Sequence, residues 1–133
     1  MGNLTITAAD VAAVRIDEQD TYPAAEAITA GQVVRLDVTT GKWALAKGTD
    51  TGEYRAGGLA LRSVAAGITL TALRKGVIDL GDALGDLAYD ADVFLSDTDG
   101  TLATSKGTQE KIIGQVVPIW GHTTPDKALR IDL

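Results

Sequence analysis

The sequence has no cysteine, a single histidine and no cluster of basic residues. Without cysteine there is no thiol catalysis, no thiolate metal ligand and no disulfide framework. The chain has 133 residues with 12 Lys and Arg against 18 Asp and Glu, a formal net charge of -6. Because binding to phosphates requires grouped cations, we expect no nucleic-acid partner.

Long apolar runs are missing as well. No stretch reaches the roughly eighteen apolar residues that a membrane-spanning helix needs. The beginning, "MGNLTITAADVAAVRIDEQD", has neither the basic start nor the apolar run of a secretory signal. We therefore expect a soluble protein with no membrane partner and no targeting segment.

The residue types that carry catalysis are scarce and scattered. His122 lies in the turn-like stretch "WGHTTPD", where a solvated loop residue is more typical than a general base. The stretch "SDTDG" resembles half a calcium loop, but Lys106 stands where the bidentate glutamate should be. Aspartate there is better explained as a turn former. We therefore expect that the chain is not an enzyme and that it has no cofactor and no metal site.

Two stretches of the sequence repeat each other. "VVRLDVTTGKWALAK" (33–47) and "DVFLSDTDGTLATSK" (92–106) align without a gap, with Val34 on Val93 and Gly41 on Gly100. Both read as a strand, a tight turn and a second strand, because apolar residues recur every two positions around a turn glycine. The sequence therefore predicts one hairpin built twice, each followed by a strand that opens at glycine, Gly57-Gly58 and then Gly114.

From residue 30 onward the whole chain follows this short, alternating pattern. "AGGLALRSV", "AGITLTAL" and "KGVIDLG" predict three central strands, and Pro118 indicates a strand end or edge. The run "DALGDLAYD" predicts a connection whose Leu84, Leu87 and Tyr89 fold inward. About nine short strands and almost no helix predict an all-β barrel or sandwich over residues 30–133.

Residues 1–29 differ from the rest and are predicted to form an N-terminal arm. Thr7 and Asp10 have the spacing of a weak capping box, which would start a two-turn helix with Val11 and Val14 on one face. So short a helix is marginal, and "NLTIT" favours an extended segment instead. Both readings stay open at this point.

Apolar side chains of the arm are the candidates for contacts with another molecule. They are Leu4, Ile6, Val11 and Val14. "NLTIT" would add a strand to a partner's sheet edge; alternatively, the arm folds back and covers an edge of its own barrel. Tyr22, just before Pro23, is expected to hold the arm to the barrel.

Phe94 is a further candidate contact residue. In the duplicated register it takes the place of Arg35, on the face opposite Val93 and Leu95. If Val34, Leu36, Val93 and Leu95 point inward, Phe94 points outward. It is then either covered by the arm or a neighbouring loop, or available to a subunit or partner.

Across residues 24–133 the chain resembles the small head decoration, or cement, proteins of tailed bacteriophages. The resemblance rests on "AEAITAGQVVRLD", "GGLALRSVAAGITLTALRKGVIDL" and "DADVFLSDTDGTLAT…IIGQVV…LRIDL". It implies a β-barrel or β-tulip-like domain that forms homotrimers on the outer surface of the virion and contacts the major capsid protein. The polar "RIDEQDTY" departs from the familiar pattern and leaves the path of the arm open.

Two other classes of protein are weighed against this one. A carbohydrate-binding or adhesin-type β-module needs a platform of exposed aromatic rings, and the chain has only two Trp, three Tyr and one Phe. An enzyme on a small barrel needs convergent polar residues, which the sequence does not supply. Binding to a glycan array would favour the first class, and turnover of a substrate the second.

Overall fold

The computed structural model describes residues 2–119 and 127–133, so the prediction for His122 lies outside it. Nine strands form one curled antiparallel sheet, a half-barrel, which confirms the predicted all-β class. The strands are β1 (Val11–Pro23), β2 (Val33–Leu36), β3 (Trp43–Leu45), β4 (Gly58–Ala60), β5 (Thr69–Leu80), β6 (Asp92–Leu95), β7 (Leu102–Ala103), β8 (Ile112–Pro118) and β9 (Lys127–Asp132). One 3-10 helix, Ala8–Asp10, precedes β1.

The two predicted hairpins are confirmed by their registers. Arg35 pairs with Ala44 in β2–β3, and the aligned residues Phe94 and Ala103 pair in β6–β7. The turn glycines also correspond, since Gly41 has a φ of 70° and Gly100 a φ of 68°. Glycine tolerates this left-handed conformation without strain.

The turns use the same hydrogen bond with different side chains. Oδ1 of Asp37 accepts from the N–H of Thr39 at 2.8 Å, and Oγ of Ser96 accepts from the N–H of Thr98 at 3.0 Å. Asp and Ser both stabilise turns in this way. The hairpins are therefore equivalent in both backbone and turn chemistry.

The whole sheet follows the duplication. Its order is β3-β2-β4-β5-β9-β8-β6-β7, so each half contributes a hairpin followed by two strands. Gly58 of β4 lies opposite Val34, and Gly114 of β8 lies opposite the aligned Val93. The halves join where β5 pairs with β9, from Lys75 to Ile78.

Hydrogen bonds between the two hairpins bring the ends of the sheet together. The N–H of Gly100 donates to the carbonyl of Ala46, and the carbonyl of Gly100 accepts from the N–H of Val33, each at 2.8 Å. The N–H of Gln109 donates to the carbonyl of Gly48 at 2.9 Å. These contacts curl the sheet around its central core.

The buried side chains form a central core and a second cluster beneath the first hairpin. Val93 and Leu95 of the second hairpin lie in the central core. Val34 and Trp43 of the first hairpin pack instead with Ala24 and Ile28, which belong to the predicted arm. The equivalent apolar faces of the two hairpins are thus buried against different parts of the chain.

Some details of the strand prediction were wrong. The two central segments "AGITLTAL" and "KGVIDLG" are one strand, β5, of 12 residues. The ninth strand is β1, which runs for 13 residues through the predicted arm. Thr7 makes no side-chain capping bond, and the helix after it has three residues instead of two turns. Pro118 does end its strand, as predicted.

Two predicted side-chain directions were also wrong. Leu36 is 43% exposed, although the aligned Leu95 is buried. Tyr89 is 49% exposed, whereas Leu84 in the same connection is buried as predicted. The ammonium of Lys127 lies 5.2 Å from the centre of the Tyr89 ring, which provides a cation–π contact at the surface.

We expect the turn of the first hairpin to depend on pH, because its acceptor is the carboxylate of Asp37, whereas the acceptor at the equivalent position of the second hairpin is the hydroxyl of Ser96. The N–H of Thr39 lowers the pKa of Asp37 below its usual value, and the N–H of Thr40 and the charge of Arg35 act in the same direction. Since the folded pKa is the lower one, the benefit is complete above about pH 4 and is lost as pH falls through the folded pKa.

The variant Asp37→Ser tests this, because it installs the hydroxyl that Ser96 already uses in the second hairpin. Urea unfolding of both proteins between pH 7 and pH 2 should show a smaller loss of stability for Asp37→Ser at acid pH. Parallel curves for the two proteins would show that the Asp37 carboxylate does not stabilise the turn.

Candidate interaction surface

The strand β1 lies at an edge of the sheet. It pairs with β5 from Val11 opposite Leu80 to Pro23 opposite Thr69. Within residues 2–119 and 127–133, no other strand pairs with it. Its register shifts three times between Ala13 and Gln19 and then runs regularly to Pro23. The outer edge of β1 therefore carries backbone groups without a strand partner.

The sheet's two end strands, by contrast, are both covered by the arm. Asn3 bridges to Ala103 of β7, and the N–H of Leu4 donates to the carbonyl of Leu102 in the same strand at 2.8 Å. At the other end, the N–H of Ala25 donates to the carbonyl of Trp43 at 2.7 Å. This leaves β1 as the long open edge of the described sheet.

Three of the candidate arm residues pack on their own barrel. Leu4, Ile6 and Val11 are half-buried against the central core. In the single chain the arm thus folds back and covers its own sheet edge, which is the second of the two arrangements considered from the sequence. A contact of these residues with another molecule stays a prediction.

Val14 is the candidate arm residue that remains open to solvent. It is 45% exposed and has no residue of β5 opposite it, because the register shifts between Ala13 and Arg15. Ile16, two residues later, is 49% exposed. Sequence reasoning missed Ile16, although the alternation of Val14 and Ile16 was a signal that could have found it. Together they give β1 an apolar surface that its own fold does not bury.

Tyr22 holds the end of β1 to the first hairpin, as its position before Pro23 suggested. Its ring meets that of Trp43 edge-on, with 5.2 Å between the ring centres. Trp43 itself is buried and donates from Nε1 to the carbonyl of Leu70 at 3.1 Å. Tyr22 is still 36% exposed.

Phe94 lies away from this surface, in β6. Its neighbours Val93 and Leu95 are buried in the central core, while Phe94 is half-buried. Phe94 pairs with Ala103 of β7, and Asn3 of the arm bridges to the same Ala103, whereas Val14 and Ile16 lie on β1, which pairs with β5. A further exposed apolar site, also missed, is the tip of the first hairpin, where Val38 is 97% exposed beside Leu36.

The charges on β1 are mostly negative. Asp17 and Glu18 are exposed and Asp20 is half-buried. The one cation of this stretch, Arg15, is already paired, with 3.1 Å between its Nε and Oδ2 of Asp17. The edge therefore presents acidic side chains next to its exposed aliphatic ones.

The described residues show no metal-binding arrangement. No group of three or more Asp, Glu, His or Cys side chains there is arranged to hold a metal ion. Asp97, from the calcium-like stretch, instead accepts hydrogen bonds from the N–H and hydroxyl of Thr108 at 2.6 and 2.9 Å. The described chain also contains no helix with the length and hydropathy to cross a bilayer.

Comparison with known proteins adds no relative. No protein-family model matches the chain, and neither the curated proteins nor the solved structures give a match.

Proposed function

We propose that this chain is a decoration protein of a tailed-phage head. It binds the outer surface of the assembled shell as a homotrimer and contacts the major capsid protein. It stabilises the lattice by binding alone, without making or breaking covalent bonds. The resemblance over residues 24–133 names this partner. The observation that carries the proposal is the open edge of β1, with Val14 and Ile16 exposed beside it.

The rest of the fold suits such a role. Both end strands of the sheet are covered by the arm, and no buried side-chain polar atom in the described residues lacks a hydrogen-bond partner. Such a domain resists uncontrolled association through its edges. It offers β1, which is already ordered by its pairing with β5, as a contact surface, so that less conformational entropy is lost on binding than for an unpaired segment.

Stabilisation follows from binding the lattice in preference to its separate subunits. A ligand at a hundredfold excess over its Kd stabilises the state it binds by about 2.7 kcal/mol per site. A trimer strengthens weak contacts, because the second and third subunits bind at high local concentration once the first is attached. Separate capsid subunits do not offer three correctly spaced contacts, so the trimer discriminates against them.

Sedimentation tests the proposal. The protein is mixed with expanded, undecorated heads of the phage that encodes it and, separately, with capsid monomers. We expect it to sediment with the heads and to leave the monomers unbound. Equal binding to monomers, or binding to neither, would remove the proposed function.

A paired variant tests the contact surface. Val14→Ser/Ile16→Ser removes two exposed aliphatic side chains from β1 and should weaken head binding by about tenfold or more, since each buried aliphatic group contributes roughly 1 kcal/mol. The control Ile68→Ser/Ile112→Ser removes two equally exposed isoleucines elsewhere, which are 50% and 42% exposed. Equal losses in both variants would show that β1 is not the contact.

A further inference from the structure

We propose that the open edge of β1 accepts an extended protein segment that carries Lys or Arg at alternate positions, adding it to the sheet as another strand. This deepens the proposed function and rests on it for the identity of the partner, which would be the capsid protein. The site itself is argued from the geometry and charge of β1.

The first step is that the edge is available. β1 has 13 residues and one strand partner, β5, in the described chain. The other two edges are closed by backbone hydrogen bonds from residues 2–4 and 24–25. An unpaired edge of this length is a template for a further strand, and natural proteins protect such edges unless they use them.

The second step is that part of the edge is regular enough to pair. The register shifts between Ala13 and Gln19 twist that stretch and hinder pairing. From Gln19 to Pro23 each residue lies opposite one residue of β5 without a break. The side chain of Thr21 is also fixed, with 2.8 Å between its hydroxyl oxygen and that of Thr71.

The third step is that charge selects the occupant. Asp17 and Glu18 precede the regular stretch and Asp20 lies within it; of the nearby cations, Arg15 is engaged by Asp17 and Lys75 of β5 lies opposite Glu18. A second copy of this chain would bring the same acidic residues against them, and its own bulged stretch would not align. A segment with cations at every second position places them on one face of the new strand, opposite these carboxylates.

The probes are three synthetic eight-residue peptides. One alternates Lys and Thr, one alternates Glu and Thr, and one alternates Lys and Pro. The Lys-Pro peptide has the charge and extended shape of the first but lacks half of the backbone donors, and its proline φ of about −65° favours polyproline II over a paired strand. Calorimetry at low salt measures binding to the full chain, and hydrogen exchange of β1 amides reports strand pairing.

We expect the Lys-Thr peptide to bind and to slow exchange of amides between Gln19 and Tyr22, with the Glu-Thr and Lys-Pro peptides at least tenfold weaker. The variant Asp17→Asn/Glu18→Gln/Asp20→Asn should weaken Lys-Thr binding by about tenfold, as expected for three exposed charge pairs. The control Asp82→Asn/Asp86→Asn/Asp99→Asn removes the same net charge elsewhere and should change it less than twofold.

Three results would overturn the inference. Equal binding of the Lys-Thr and Lys-Pro peptides would mean electrostatic attraction without strand pairing. Equal losses in the two charge variants would place the peptide elsewhere. Wild-type protein that binds no peptide but dimerises with its β1 amides protected would make a second copy the occupant. If head binding persists while peptide binding fails, only this inference falls and the proposed function stands.

Discussion

We expect Gly76→Ala to lower the free energy of unfolding by about 3 to 5 kcal/mol, which places it among the most damaging single substitutions. Gly76 lies in β5 with a φ of 146°, in a region that residues with a side chain rarely adopt. A methyl group there would also overlap the carbonyl oxygen of Arg15 in β1. The substitution therefore strains β5 and pushes β1 away from it.

Gly67→Ala is the matched control. Gly67 also has a left-handed φ, 86°, but a methyl group there would meet nothing within 4 Å. It should cost only the backbone strain, about 1 kcal/mol. Urea unfolding of both variants measures the difference. Similar losses would mean that the contact between β1 and β5 is looser than its geometry indicates.

The second large effect is expected at Trp43. Truncation to alanine should cost about 3 to 5 kcal/mol, because Trp43 is 2% exposed and fills the cluster beneath the first hairpin. Trp43→Phe loses the hydrogen bond to the carbonyl of Leu70. Because it keeps an aromatic ring in the cluster, it should cost less stability than Trp43→Ala. Thermal and urea unfolding of the two variants give this order; the reverse order would contradict it.

The contact between Trp43 and Tyr22 explains how the end of β1 is held. A double-mutant cycle with Tyr22→Ala and Trp43→Leu measures it, because each variant removes one of the two rings, and we expect a coupling of about 0.5 to 1.5 kcal/mol for an edge-on aromatic pair. Additive losses would show that Tyr22 only lies near the first hairpin without fixing β1 to it.

The hairpins were predictable because their information is local. Each hairpin takes up fifteen residues of sequence, and this stretch contains the alternating apolar residues, the turn glycine and the side-chain acceptor, which is Asp37 in the first hairpin and Ser96 in the second. The repeat was therefore visible in the sequence. The duplication also predicted a strand that opens at glycine after each hairpin; β4 does begin at Gly58, but Gly114 is the third residue of β8, which begins at Ile112. In each hairpin stretch the local preferences of the residues agree with the final fold, so the structure can be predicted from the sequence.

The partners of β1 were not predictable in the same way. Between Val11 and Pro23 the register with β5 shifts three times, which destroys the simple alternation by which strands are recognised. β1 is also mostly exposed, so its apolar residues do not form the buried alternation of a core strand. Long-range pairing between residues near positions 11–23 and 69–80 leaves no local signal.

The duplication itself misled the prediction for Leu36. The aligned Leu95 is buried in the central core, but the first hairpin turns its equivalent face toward Ala24 and Ile28, and Leu36 extends beyond that cluster. Equal backbones therefore need not have equal surroundings. The candidate surface on β1 was predicted only in part, since Val14 was named from the sequence and Ile16 was not.

The central claim is that this chain acts by attachment to an assembled shell, and a cryo-electron microscopy reconstruction of expanded heads saturated with the protein tests it most directly. The account predicts ordered density on the outer surface, with three copies grouped about a common axis and Val11–Pro23 in contact with the capsid lattice. Heads whose outer surface stays bare at saturating protein would contradict it.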